Sequence, residues 1–364
     1  MARITLSAIK ADVGSLAGHI VPSRELVKAV GDHIKANQAS LGIIDFRLST
    51  TGDDVCILMT HRHGADHPQI HKVAFDAFMA GGDIAEAQGL YGAKQDLLVT
   101  AFSGNVKGMG PAAAEMEFDE RPGEAFILFA ADKTDPGAYN GPLYHLSDPM
   151  YNSGLLLNPK TKGYRYTVMD VSHTGGDRVI ELETPKDLYD LAALLRDLER
   201  FVVEKIEGLD GLPMVAVSTT RLHNIAGRYT GKDDPICLVR SQKDFPATGE
   251  VLAPYVKAEY VAGFMRGSHT GPLVPSKLGT KISYFDGPPK VTAAGYSMKD
   301  GKLVGPEDLF EDPFWDEIRR KAHQKAEYIR EQGFRGVAML PMDELEYGGM
   351  KQRLEELDQR FKIR

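Results

Sequence analysis

Strand-length apolar runs in this chain repeatedly end at aspartate. Five segments, KADVGSLAGH, TGDDV, GAKQD, FAADKTDPG and GKDDP, put hard oxygen ligands at strand ends or turns. The candidates are Asp12, Asp53, Asp54, Asp132, Asp233 and Asp234, with Gln95 and His19 carrying less charge. One Asp after a strand is ordinarily a turn residue or a helix cap. A set of them is more restrictive, because carboxylates gathered at one place repel unless cations sit among them. The fold must therefore scatter these strand ends over the surface or gather them around metal. Oxygen-rich ligation suits Mg²⁺, while His19 is compatible with Mn²⁺ or Zn²⁺ as well.

Residues 3–11 read as a first strand ending at Asp12, and Ser23 as the N-cap of a helix through residue 38. IIDFRLST and VCILMTH form a hairpin with GDD at its turn. A helix follows through QIHKVAFDAFMAGGDIAEAQG, where Gly81 and Gly82 are expected to bend or split it. Further strands are expected at EAFILFAAD, YRYTVMDV, DRVIELET, PMVAVSTT, PICLVR and TKISYFDG. Helices are expected at Pro185–Lys205, at Asp312–Gln332 and, shorter, in the last segment. No linker or fixed-period repeat divides residues 1–364, so one α/β unit of packed sheets covered by helices is expected. A doubly wound sheet is the alternative, but no GxGxxG follows the first strand.

With 364 residues, 43% of them hydrophobic, the chain has material for a sizeable core. Its 43 Lys and Arg stand against 51 Asp and Glu, a formal charge of -8 that argues against nucleic acid as a partner. The start lacks a signal-peptide pattern and no apolar run spans a membrane, so a cytoplasmic location is expected. Cys56 and Cys237 lie in apolar runs and read as buried free thiols. The run HRHGADHPQIH, with His61, His63, His67 and His71, has neither HExxH nor a thiolate partner and reads as structural.

AFSGNVKGMGP is not a Walker loop, yet Ser103, Gly104 and Asn105 could turn backbone N–H groups and polar side chains toward an anion. Lys133 and Arg266 are candidates for a second phosphate, and Gln242 for sugar hydroxyls or phosphate. In AGRYTGKDDP, Tyr229 and Lys232 stand beside two acids. A lysine attacks a carbonyl only as the neutral amine, and adjacent acids oppose deprotonation. The local pattern thus leaves Lys232 open between a salt bridge and a Schiff-base nucleophile, with Tyr229 as a possible proton carrier.

Taken in order, IKADVGSLAGH, GDDV, LYGAKQDLL, FSGNVKGMGPAAAEMEF, FAADKTDPGAYN, AGRYTGKDDP, FMRGSHTGP and FDGPP span nearly the whole chain. Together they closely resemble the archaeal-type bifunctional fructose-1,6-bisphosphate aldolase/phosphatase family. The resemblance implies a four-layer α-β-β-α sandwich, a homo-octamer and Mg²⁺. It implies condensation of dihydroxyacetone phosphate with glyceraldehyde 3-phosphate, then hydrolysis of fructose 1,6-bisphosphate to fructose 6-phosphate. By the same resemblance Asp12, His19, Asp53, Asp54, Gln95, Asp132, Asp233 and Asp234 bind metal, with Asp12 the phosphatase base. Lys232 is the Schiff-base residue and Tyr229 the aldolase acid/base. Tyr91, Gly104, Asn105, Lys133, Gln242, Arg266, Asp286 and Tyr347 fall at substrate-contact positions. A monofunctional sugar bisphosphatase and a nonenzymatic sugar-phosphate-binding protein are the alternatives.

Overall fold

The computed structural model describes residues 3–97, 110–157, 162–173, 176–218, 232–261, 271–282, 288–331 and 348–364. Strand β1 (Arg3–Asp12) lies between β3 (Asp54–His61) and β4 (Ala112–Asp119), and β2 (Asp45–Thr51) pairs with β3 to complete a four-stranded antiparallel sheet. Strands β11 (Tyr260–Val261) and β12 (Gly271–Pro272) pair only with each other, and the second large sheet has ten strands. Its path runs β13 (Val274–Pro275), β14 (Lys290–Lys299), β5 (Glu124–Asp132), β10 (Ile236–Ser241), β9 (Pro213–Val217), β8 (Phe201–Gly208), β6 (Tyr164–Asp170), β7 (Arg178–Glu183) and β16 (Lys362–Ile363), with β15 (Lys302–Asp308) on β14. Only the short β13–β14 pairing is parallel among the described residues, so the doubly wound alternative is excluded.

The period-two alternation of the strands sorts their side chains into separate cores. From β1, Ile4, Leu6 and Ala8 pack with Phe126, Leu128 and Ala130 of β5, so this core lies between the two sheets. The opposite face presents Ile9 and Ala11 to Leu26, Val30 and Ile34 of helix α1 (Arg24–Asn37) and to Ile70, Ala74 and Phe78 of helix α2 (Pro68–Ala87). On the second sheet, Ile127, Phe129 and Ala131 turn away from β1 toward residues of the helices Leu188–Leu195, Phe314–Glu331 and Gly348–Asp358. Each fully buried Leu, Ile or Phe contributes about 1.5–3 kcal/mol. The result is a mixed α/β structure in which Lys10 and Asp12 share the face of β1 that looks toward β5. No helix among the described residues is long and apolar enough to cross a membrane.

Ser23 caps α1 as expected, its Oγ accepting from the Leu26 N–H at 3.2 Å. The hairpin turn is Gly52–Asp53, and Cys56 and Cys237 are both buried free thiols. Three expectations fail. The helix expected over Pro185–Lys205 spans only Leu188–Leu195, because the β-branched Phe201–Gly208 segment is drawn between β6 and β9 as a strand. Nor do Gly81 and Gly82 break α2, which runs unbroken to Ala87. Their missing side chains admit close neighbours instead: a Cβ at Gly81 would stand 2.8 Å from Val30 Cγ2, and one at Gly82 2.4 Å from Lys94 Cγ. In TKISYFDG, residues 280–282 form no strand, and 283–287 lie outside the described residues.

Candidate metal centre

The acidic turns meet because the strands that carry them end at one place between the sheets. Asp12 closes β1 directly opposite Asp54, the first residue of β3, and Asp53 is the second residue of the hairpin turn. From the other sheet, Asp132 closes β5, and Asp234 precedes β10. Reciprocal bonds fix the latter: Asp234 N–H donates to the Thr134 carbonyl at 2.9 Å, and Thr134 N–H donates to Asp234 Oδ1 at 2.7 Å. Gly52 makes the approach possible. With φ at 59° it takes the left-handed turn, and its N–H donates to Thr280 O at 2.9 Å. Lys133 and Asp234 also hold left-handed backbone, at φ 65° and 48°. Such conformations cost roughly 1–2 kcal/mol each outside glycine and concentrate at functional sites.

Two groups of potential ligands result, Asp12–His19–Asp53 and Asp54–Asp132–Asp234, and within each the ligand atoms lie within 4.8 Å of one another. Lys133 links them, its Nζ 2.5 Å from Asp53 Oδ1 and 2.9 Å from Asp132 Oδ1. His19 Nδ1 is 2.8 Å from Asp53 Oδ2 and 3.6 Å from Asp12 Oδ2. Lys10 Nζ donates to Asp54 Oδ2. Lys232, 3% exposed, donates to Asp233 Oδ1 at 2.7 Å and to Asp96 Oδ2 at 3.2 Å. Seven carboxylates, those of Asp12, Asp53, Asp54, Asp96, Asp132, Asp233 and Asp234, thus gather, among the described residues, around Lys10, Lys133, Lys232 and His19, with Lys290 also acting on Asp132.

That imbalance is written into the proton affinities. Burial, reinforced by Asp53, pushes the Asp12 carboxyl up to about 6. Burial pushes Asp132 up to about 8 against the pull of Lys133, and Asp233 up to about 7 against Lys232. Asp54 also rises, through burial and its acidic neighbours, despite Lys10. At Asp53 burial acts upward but is outweighed by Lys133 and His19, which hold it below the carboxylate range. His19, bonded to Asp12 and Asp53, rises to about 10. Burial alone would lower Lys232, yet Asp233 and Asp96 raise its ammonium above the ordinary lysine value.

The donor set fits divalent metal. Neither oxygen of fully buried Asp132 has a hydrogen-bond partner among the described residues; Lys133 is close enough for ion pairing with Oδ1 but not aligned for a bond. A buried carboxylate left this way costs several kcal/mol unless a cation meets it. Oxygen donors with one imidazole are the chemistry of Mg²⁺ or Mn²⁺ rather than of a thiolate zinc site.

The remaining sequence candidates distribute unevenly. Tyr91 is exposed at the rim, its ring edge-on to His19 with centroids 4.9 Å apart. Gln95 opens the short helix Gln95–Leu97, and Asp233 is engaged with Lys232 outside both triads. Gln242 lies beyond the far end of β10, its side chain on Thr248 Oγ1 at 3.0 Å, roughly 20 Å along the strand from Asp234. Within this chain it does not join the cluster. Ser103, Gly104, Asn105, Tyr229, Arg266, Asp286 and Tyr347 fall outside the described residues. The histidine run builds a separate network. His61 Nδ1 accepts from the His63 N–H at 3.3 Å, so Nε2 carries the proton and donates to Ser7 Oγ at 2.8 Å; Ser7 in turn donates to Glu115.

Lys10 and Asp96 escaped the sequence reading. For Lys10 a signal existed: it stands two residues before Asp12 on a strand, hence on the same face. Asp96 stands in the segment GAKQD itself, where Gln95 is the residue named as a candidate ligand.

Carboxylates held at the junction of two sheets, with lysines among them, form a buried site whose donor set is suited to divalent cations. A family model described as fructose-1,6-bisphosphatase matches residues 3–362. Relatives called fructose-1,6-bisphosphate aldolase/phosphatase occur in Thermus thermophilus, 49% identical over 362 residues and covering 99% of both chains, and in Cenarchaeum symbiosum, 50% identical over 362 residues and covering 99% of this chain and 95% of the relative. That of Ignicoccus hospitalis is 47% identical over 364 residues, covering 99% of this chain and 93% of its own. The chain belongs to the fructose-1,6-bisphosphatase family.

Proposed function

We propose that the protein condenses dihydroxyacetone phosphate with glyceraldehyde 3-phosphate and hydrolyses the fructose 1,6-bisphosphate so formed to fructose 6-phosphate and phosphate. One observation carries the pairing of the two reactions. A single carboxylate oxygen, Asp96 Oδ2, accepts from the Asp12 backbone at 3.0 Å and from Lys232 Nζ at 3.2 Å, which supports putting the proposed phosphatase base and the proposed nucleophilic amine at one site. The relatives' names support both activities.

In this reading Asp12, His19, Asp53, Asp54, Asp132 and Asp234 hold Mg²⁺, with Gln95 and Asp233 as further ligands. When bound, divalent metal polarises phosphoryl oxygens and lowers the pKa of coordinated water. Asp12 is the proton acceptor for the attacking water; in the metal-free site burial and Asp53 raise its carboxyl to about 6. Lys133 and Tyr91 bind substrate from the cluster and its rim, assisted by Ser103, Gly104, Asn105, Arg266, Asp286 and Tyr347. In the aldol half, Lys232 attacks the ketone carbon and water leaves, giving a Schiff base; Tyr229 moves the proton during carbon–carbon bond formation. Lys232 must first shed a proton that Asp233 and Asp96 hold on it, which requires it to move off those carboxylates.

The arrangement of cores on both faces of each sheet supports the four-layer α-β-β-α sandwich, with residues 1–364 as one catalytic unit. The homo-octamer belongs to the same proposal. Gln242, distant from this chain's own cluster, contacts substrate only if it serves another copy's site.

Incubation with both triose phosphates and Mg²⁺, following bisphosphate, monophosphate and free phosphate over time, tests the assignment. The three should appear in precursor–product order. Hydrolysis of added fructose 1,6-bisphosphate without triose condensation would reduce the protein to a phosphatase, and binding without turnover would leave neither activity. Lys232→Ala should abolish condensation and leave measurable hydrolysis.

A further inference from the structure

We propose that Asp96 is a positioning residue: it seats Lys232 between aldol cycles and keeps that seat in register with Asp12. The proposal rests on the aldol role given to Lys232 above. Asp96 is 4% exposed, on the short helix Gln95–Leu97, and belongs to neither carboxylate triad. Its Oδ2 receives both the Asp12 N–H and Lys232 Nζ. The second partner of Lys232, Asp233, is its immediate chain neighbour. Asp96 stands 136 residues away in sequence. Of the two, only Asp96 ties the amine to the part of the molecule that holds Asp12.

The two reactions make opposite demands on this tie. Hydrolysis requires Asp12 in place and has no use for a free amine. Schiff-base formation requires Nζ to leave its carboxylates, reach the ketone carbon, form the C–N bond and expel the carbonyl oxygen as water. Loosening Asp96 should therefore favour the covalent step over hydrolysis. Asparagine at this position retains an amide oxygen for the Asp12 N–H while removing the charge that holds the ammonium.

The test uses the full-length Mg²⁺-loaded protein with dihydroxyacetone phosphate, quenched with borohydride, whose hydride reduces the C=N bond to a stable amine read by mass spectrometry. In Asp96→Asn the trapping rate at subsaturating ligand should rise about tenfold, the scale of one charge-assisted hydrogen bond. The ratio of trapping rate to fructose 1,6-bisphosphate turnover should rise about tenfold, since an amide oxygen still accepts from the Asp12 backbone. An unchanged trapping rate, or trapping and hydrolysis falling together, overturns the positioning role while leaving the aldol reading intact. Absence of any reducible adduct in the unsubstituted protein overturns both. A measurement independent of variant folding is the structure of the reduced adduct: Nζ should lie beyond about 3.5 Å from Asp96 Oδ2. An adduct still bonded to Asp96 contradicts the proposal.

Discussion

A Cβ built on Gly52 would lie 1.5 Å from Asp132 Oδ2, so the hairpin turn of one sheet and the last residue of β5 in the other touch with no room for a methyl group. Gly52→Ala adds to that overlap the strain of a left-handed φ of 59°. The conformational term alone is about 1–2 kcal/mol. Asp132 must swing away, disturbing the triad it forms with Asp54 and Asp234. The variant should lose more than about tenfold in Mg²⁺ affinity by titration calorimetry, as disturbed ligand support commonly does, together with a lowered Tm.

Lys10 and Asp54 form a buried pair, 1% and 4% exposed. Removing one partner leaves the other charge uncompensated, which costs about 3–5 kcal/mol. Lys10→Met should destabilise the metal-free protein by roughly that amount in urea unfolding. Saturating Mg²⁺, which meets Asp54 directly in the proposed site, should recover part of the loss. Equal destabilisation with and without metal would show that Asp54 is not a ligand.

The raised carboxyls set the direction of the pH response. Asp12 at about 6, Asp233 at about 7 and Asp132 at about 8 take up protons in the folded, metal-free state where an unfolded aspartate, near 4, has lost them. The stability they lend is complete below about pH 4 and is lost as pH rises through 6 to 8. Metal competes with these same protons, so Mg²⁺ affinity should rise from pH 6 to pH 8 and binding at pH 7 should release protons. Calorimetry in buffers of differing ionisation enthalpy reads the release directly; none at pH 7 would contradict the assignment.

Helix α2 offers a check of packing alone. Alanine is the better helix former by about 1 kcal/mol, yet Gly81→Ala places its Cβ 2.8 Å from Val30 Cγ2. Overpacking of this kind costs about 1–3 kcal/mol. The variant should unfold at lower temperature than the parent, against the propensity scale.

The strands ending at Asp12 and Asp132, and the hairpin around Gly52–Asp53, were legible because β-branched and apolar runs with turn residues carry local information. β4 and β14 were not: AAAEMEFD and KVTAAGYSMK are rich in Ala and become strands through the partners that flank them. The helix overextended to Lys205 failed for the same tertiary reason. Within the site, the acids were visible as strand-end residues, but the ion pair of Lys10 with Asp54 and the two hydrogen bonds that Asp96 accepts join positions 44, 84 and 136 residues apart. No local pattern encodes such distances.

Crystals grown with Mn²⁺ in place of Mg²⁺, measured at the manganese absorption edge, test the central claim most directly. Anomalous peaks should fall between Asp12, His19 and Asp53 and between Asp54, Asp132 and Asp234. Both triads without a peak in Mn²⁺-saturated crystals, their charges still met by Lys10, Lys133 and His19 alone, would contradict it.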